Sequence, residues 1–152
     1  MKLYTEDIVN AIEATLSDNM SATLAAAQTA AGDGLTLANI AEYQTTGMQL
    51  LNCKKYPVIG IEVESESIDP AGYQVYEASL RINIACAVAD TDPDRLEKKL
   101  VRYKEIVREI VQRNPTFGGE CVDSYPEGVQ YFWASSGLSI VQVTISAVAE
   151  IN

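Results

Sequence analysis

Two patterns in the sequence have the spacing of a metal or acid/base site. Asp90, Asp92 and Asp94 stand at the i, i+2, i+4 positions from which a calcium loop draws its first ligands. Glu62, Glu64 and Glu66 alternate along a β-type stretch, so an ideal strand would gather their carboxylates on one face. The calcium pattern then fails: its sixth position is Arg95 where the loop needs Gly, and its twelfth is Val101 where it needs a bidentate Glu. Asp92-Pro93 reads instead as the cap and first turn of a helix. The three glutamates read as a solvated strand face. The chain has no His, which removes histidine triads, the commonest general base and most zinc sites. Gly32-Asp33-Gly34 and Gly118-Gly119 match neither the Walker nor the dinucleotide glycine pattern and read as turns. Cys53, Cys86 and Cys121 are an odd number without CxxC spacing, which fits a reducing compartment better than a disulfide framework. These residues lead to the expectation of no enzyme activity, no cofactor and no metal.

The elements that would position these groups are legible in hydrophobic period. Tyr76, Ala78, Leu80, Ile82, Ile84, Cys86 and Val88 are apolar at every second position, and a helical period follows from Asp92. Leu96, Leu100, Tyr103, Val107 and Ile110 form one face of that helix, and Asn114-Pro115 stops it. A first helix is expected from about Glu6 to Ala30, with Thr5 as N-cap and a core stripe of Ile8, Ile12, Leu16 and Met20. Ser17-Asp18-Asn19 is a point where it would break. Leu35 to Tyr56 shows no clear element, which is long for a connection and marks it as functional or as hiding a short helix or strand.

Pro57 opens a strand with Ile59, Ile61 and Val63 on one side, and Asp69-Pro70-Ala71-Gly72 has the chemistry of the turn that returns the chain into the long strand at Gln74 to Ala89. Cys121 to Tyr125 reads as a short strand, and Gly128 to Ser135 with Leu138 to Ile151 as a hairpin. Trp133, with Tyr131 and Phe132, is expected to pack in the core or at an interface. The last strand is apolar on both faces, which suits a central strand or one covered by a partner subunit. The fold class is therefore α+β: an antiparallel sheet of about four or five strands packed on two helices, in the order α-β-β-α-β-β, with residues 1–152 as a single domain.

Eleven Lys and Arg against 21 Asp and Glu give a formal charge of −10. Such a surface repels phosphate backbones, and the basic residues that do cluster, Lys98, Lys99, Arg102, Lys104 and Arg108, are interleaved with Glu97, Glu105 and Glu109 as on a solvated helix face. No run approaches the roughly 20 apolar residues of a membrane span, and the N-terminal residues lack the apolar core of a signal peptide. A soluble protein made in the cytoplasm is expected.

The helix opening Glu6-Asp7-Ile8-Val9-Asn10-Ala11-Ile12, the strand Tyr56-Pro57-Val58-Ile59-Gly60-Ile61, the long alternating strand and the Asp-Pro-Asp-Arg-Leu helix entry together resemble small virion proteins of long-tailed bacteriophages. Arg95-Leu96-Glu97-Lys98-Lys99-Leu100-Val101-Arg102-Tyr103 is similar to the second helix of the tail terminator, or tail completion, group of head-to-tail joining proteins. The resemblance spans Glu6 to Ile151 and departs from the group in the longer Leu35–Tyr56 insertion and the alanine-rich extension of the first helix. It implies a virion subunit, assembled in the host cytoplasm, that closes into a homo-oligomeric ring, typically a hexamer. Such a ring caps the tail tube and joins it to the neck and head-completion proteins, with DNA only passing through the lumen. Within that reading Asp69, Pro70, Gly72 and Tyr73 are expected as a projecting contact, and Arg102, Glu105, Arg108 and Glu109 as rim salt-bridge partners. The alternatives are another head-closure or minor tail protein on a similar fold, or an unrelated small-molecule-binding regulatory domain with Glu62, Glu64, Tyr76 and Arg81 as its polar contacts.

Overall fold

The structure, a computed structural model, describes residues 1–151. Its elements run α1 (Tyr4–Ala31), β1 (Glu42–Gln44), β2 (Val58–Gly72), β3 (Val75–Ala89), α2 (Pro93–Arg113), β4 (Asp123–Ser135) and β5 (Leu138–Ile151). The five strands form one sheet in the order β1-β2-β3-β5-β4, antiparallel throughout except that the short β1 lies parallel to β2. This is the expected α+β order with one small strand added. No described helix is long and apolar enough to cross a membrane.

Both helices lie on one face of the sheet. Alternation puts Ile59 and Ile61 of β2, Leu80, Ile82, Ile84 and Cys86 of β3, and Val141, Val143 and Ile145 of β5 on that face, where they are buried with Ile8, Ile12, Leu16 and Met20 of α1 and Leu96, Leu100, Tyr103, Val107 and Ile110 of α2. α2 begins as its sequence directs: the Asp92 carboxylate accepts from the backbone N–H of Asp94 at 2.9 Å and of Arg95 at 3.4 Å, with Pro93 at the first helical position. α1 begins two residues earlier than expected. Its N-cap is Leu3, with no side-chain cap, so Thr5 is not the N-cap; its hydroxyl faces Glu66 instead. Nor does α1 break at Ser17-Asp18-Asn19, because Leu16 and Met20 on either side are fully buried and Asn19 Nδ2 donates back to the Thr15 carbonyl at 2.8 Å.

The segment Leu35–Tyr56 wraps the sheet. Leu37, Ile40 and Tyr43 pack into the main core on the helix side, where the Tyr103 hydroxyl donates to the Ala38 carbonyl. β1 then caps the edge of β2 at Val58–Gly60, and Met48, Leu50, Cys53 and Tyr56 cross to the outer face to cover Val58, Ala85 and Ala87. Leu138 and Ile140 of β5 join this second, smaller cluster, which accounts for the apolar residues on both faces of an interior strand. A Cβ on Gly60 would run into the Met48 side chain, so the loop sits directly on the sheet.

Two strand readings change. The reversal between β2 and β3 is the dipeptide Tyr73-Gln74, with Gln74 at φ +56°, and Asp69, Pro70 and Gly72 are paired strand residues opposite Glu77, Tyr76 and Val75. The turn-like Asp-Pro-Ala-Gly sequence encodes a register shift between Pro70 and Gly72, and proline is tolerated there because β2 is unpaired on its other side. The strand expected at Cys121 to Tyr125 and the one expected from Gly128 are likewise one strand, β4, which begins only at Asp123 and passes through a shift at Pro126/Gly128.

Candidate assembly surfaces

The expected projecting residues Asp69, Pro70, Gly72 and Tyr73 stand together at the far end of the β2–β3 hairpin, whose exposed β2 side forms an arm along the edge of the sheet. Every residue from Glu64 to Gln74 is exposed, and Tyr73 at the reversal is 90% accessible. β5 flanks β3 as far as the Tyr76–Ile151 pair, so only the Gly72–Val75 pair and the reversal project beyond the sheet, and β2 is its open edge. The arm is anchored at its base where the Tyr4 hydroxyl donates to the Glu66 carboxylate.

The second expected group lies along α2, and each member is already engaged within its own subunit. Arg102 grips the Asp33 carboxylate with two nitrogens, at 3.0 and 2.5 Å, tying α2 to the turn after α1. That guanidinium, helped by the Leu35 backbone N–H, holds the Asp33 carboxyl down at a pKa of about 2. Glu105 pairs with Lys104 and Arg108, which lower its pKa; Arg108 also donates to Gln112 at 2.6 Å, and Glu109 accepts from Arg113 at 2.5 Å. No hydrogen bond or ion pair among the described residues joins this group to the arm. The two groups are separate surfaces.

The acidic patterns resolve into local structure. Asp90 accepts from Arg95 and from the Asp92 backbone N–H and pairs with Lys99 at 2.9 Å; these partners, Arg95 foremost, hold its carboxyl far below the ordinary range. It secures the start of α2. Glu62, Glu64 and Glu66 do not share a face, because a bulge between Val63 and Ser65 turns Glu66 toward α1. No cluster of three His, Cys, Asp or Glu side chains suited to a metal ion occurs among the described residues.

The polar set Glu62, Glu64, Tyr76 and Arg81 does not converge either. Arg81 lies on the outer face between Glu127, at 3.0 Å, and Glu64, at 3.7 Å, beside Gln130, Gln142 and Thr144 in an open depression of about 360 Å³. Tyr76 belongs to the opposite face, five residues away along an alternating strand. Glu127, from β4, is the partner that sequence spacing did not reveal, because a residue 46 positions away meets Arg81 only through the sheet order.

Cys86 is buried, and burial pushes its thiol up to about 12; Cys121 is pushed up to about 11, by burial first and then by Asp123 and Glu120. Neither is a reactive nucleophile.

Of the two places expected for the aromatic run of β4, the structure removes the core. Tyr131, Phe132 and Trp133 are 44, 45 and 66% accessible, on the edge strand of the sheet, so they are not core residues. The expectation of core packing is corrected, and the run is exposed surface.

No protein-family model matches the chain, and no curated protein matches it. Among the solved structures similar to it in outline is a chain from the virion of a native gene transfer agent particle, at 8% identity and a TM-score of 0.45, covering 92% of this chain and 98% of that one. At that score the likeness carries no functional argument.

Proposed function

We propose that this chain is a structural virion subunit of the tail terminator, or tail completion, kind, which assembles into a ring that caps a tail tube and joins it to the neck. The observation that carries the proposal is the pair of surfaces the subunit leaves uncovered: an arm exposed from Glu64 to Gln74, and an edge strand bearing Tyr131, Phe132 and Trp133. Exposed aromatic edges invite pairing and are a liability to a free monomer, and closure into an oligomer removes that liability. The resemblance of the Arg95–Tyr103 helix and the Tyr56–Ile61 strand to tail-joining proteins supplies the place of assembly. In this reading the arm, with Asp69, Pro70, Gly72 and Tyr73, meets the tube or the neighbouring ring, and Arg102, Glu105, Arg108 and Glu109 lie at the subunit rim. The formal charge of −10 suits a lumen through which DNA slides without being gripped.

Light scattering and negative-stain imaging of the purified chain test the ring. A closed oligomer with a central hole is expected, and a strict monomer at every concentration ends the proposal. Joining residues 68 and 78 by a two-residue turn tests the arm: the shortened subunit should fold and oligomerise as before but fail to join tails to heads. Unimpaired joining would remove the arm from the mechanism.

A further inference from the structure

The sheet has two long free edges of opposite character. β4 is paired on one side only, by β5, and from Gly128 to Ser135 it is uncharged, free of proline and exposed at every residue. β2 is covered by β1 only at Val58–Gly60, so from Ile61 onward its outer backbone is open. Where β1 ends, a groove of about 540 Å³ runs beside this open edge, between Val9 and Asn10 of α1 and the Thr45-Thr46-Gly47 turn, with Ile61 and Val63 as its floor. A strand laid in it would continue the position that β1 vacates.

The geometry points to β4 of a second copy as the occupant of this groove, forming a head-to-tail sheet that continues from subunit to subunit. This rests on the ring reading and gives it an interface. Charge decides among the possible pairings. Two β2 edges facing each other would set Glu62, Glu64, Glu66 and Asp69 against their own copies, a like-charge contact that opposes association. The groove is itself rimmed by Glu6 and Glu62, so in a chain of net charge −10 it rejects acidic segments and accepts the neutral β4 run. Strand addition supplies main-chain hydrogen bonds, and the alternation of β4 supplies fit. Val129 and Tyr131 lie opposite the core residues Val143 and Val141 and therefore on the helix side of the sheet, the side on which Val9 and Asn10 stand over the groove. Pairing of one edge with a different edge is heterologous, and closes into a ring when the rotation between copies permits.

The test uses two variants of the full chain. Tyr131→Glu with Trp133→Glu places carboxylates on β4 while leaving the groove intact, and Asn10→Trp fills the groove from an exposed helix position while leaving β4 intact. Circular dichroism melts within a few degrees of the wild type establish that both fold. By native mass spectrometry each variant alone should be monomeric, and an equimolar mixture should give a one-to-one dimer that grows no further, since one good β4 then meets one good groove. An Asn10→Trp variant that dimerises by itself would show β4 pairing with β4 and overturn the inference, as would a mixture that stays monomeric. A wild-type oligomer that survives both variants sinks the edge pairing and leaves the ring standing. A monomeric wild type sinks both.

Discussion

Neighbouring residues on β3 live in different solvents: Ile82 is fully buried under the two helices, whereas Arg81, turned to the outer face, keeps half its side chain in water. The same contrast holds across the sheet. The helix side buries one large cluster drawn from α1, α2, β2, β3 and β5, while the outer side hides only a small patch under the Leu35–Tyr56 loop and otherwise displays Arg81, Gln130, Gln142 and Thr144. A sheet built this way needs only one face to hold it together. The outer face, the arm and the β4 edge are then released from the demands of stability. Surfaces that are free to vary are where assembly contacts belong.

Truncation at two adjacent positions of β3 weighs the two faces against each other. Ile82→Ala removes a fully buried side chain and should cost about 2–5 kcal/mol in urea unfolding, whereas Arg81→Ala should stay within about 0.5 kcal/mol, its ion pairs being exposed. Comparable losses at the two positions would mean that the outer face carries stability as well.

Next in size is the patch under the loop. Gly60→Val forces Met48 and Leu50 off the sheet, and overpacking of this kind costs about 1–3 kcal/mol. Because the side chain in the way is a flexible methionine, Met48→Ala in the same chain should restore part of the loss. A Gly60→Val variant as stable as the wild type would show that the loop is not seated on the sheet.

How much of this was legible from sequence follows the same division. α2 announces itself fully, since its cap, its apolar stripe and its stop are all local signals: Asp92-Pro93, Leu96 to Ile110, Asn114-Pro115. The helix-side strand faces follow from alternation at Leu80, Ile82 and Ile84. What sequence hid is whatever depends on a distant partner. β1 is three residues long and exists only because β2 lies beside it. The Asp69–Gly72 segment has turn chemistry but spends it on a bulge inside a paired strand. The carboxylates of Glu62, Glu64 and Glu66 alternate in sequence, and one bulged residue separates them in space. Of the candidate surfaces, the arm was visible as polar residues between strands. The exposure of Trp133 was not, because an apolar run reads the same on an edge strand as in a core.

The smallest effect tests how the two helices of the covering layer are tied to each other. Arg102 reaches from α2 to Asp33 in the turn after α1, and its guanidinium is the main reason that the Asp33 carboxyl titrates near 2 rather than near the ordinary value of about 3.9. A carboxyl whose folded pKa is lowered favours the folded state fully above the unfolded pKa, and that preference is lost as pH falls through the folded value. The contribution is therefore complete above about pH 4 and fades between pH 4 and 2. In Arg102→Ala, carbon-detected NMR titration should find the Asp33 midpoint moved upward toward 4. The melting temperature near neutral pH should fall by only a degree or two, as expected for a pair at the surface. A midpoint that stays near 2 would assign the shift to the Leu35 backbone N–H instead of the guanidinium. The two helices would then be held over the sheet by their buried stripes alone, with no electrostatic clasp between them.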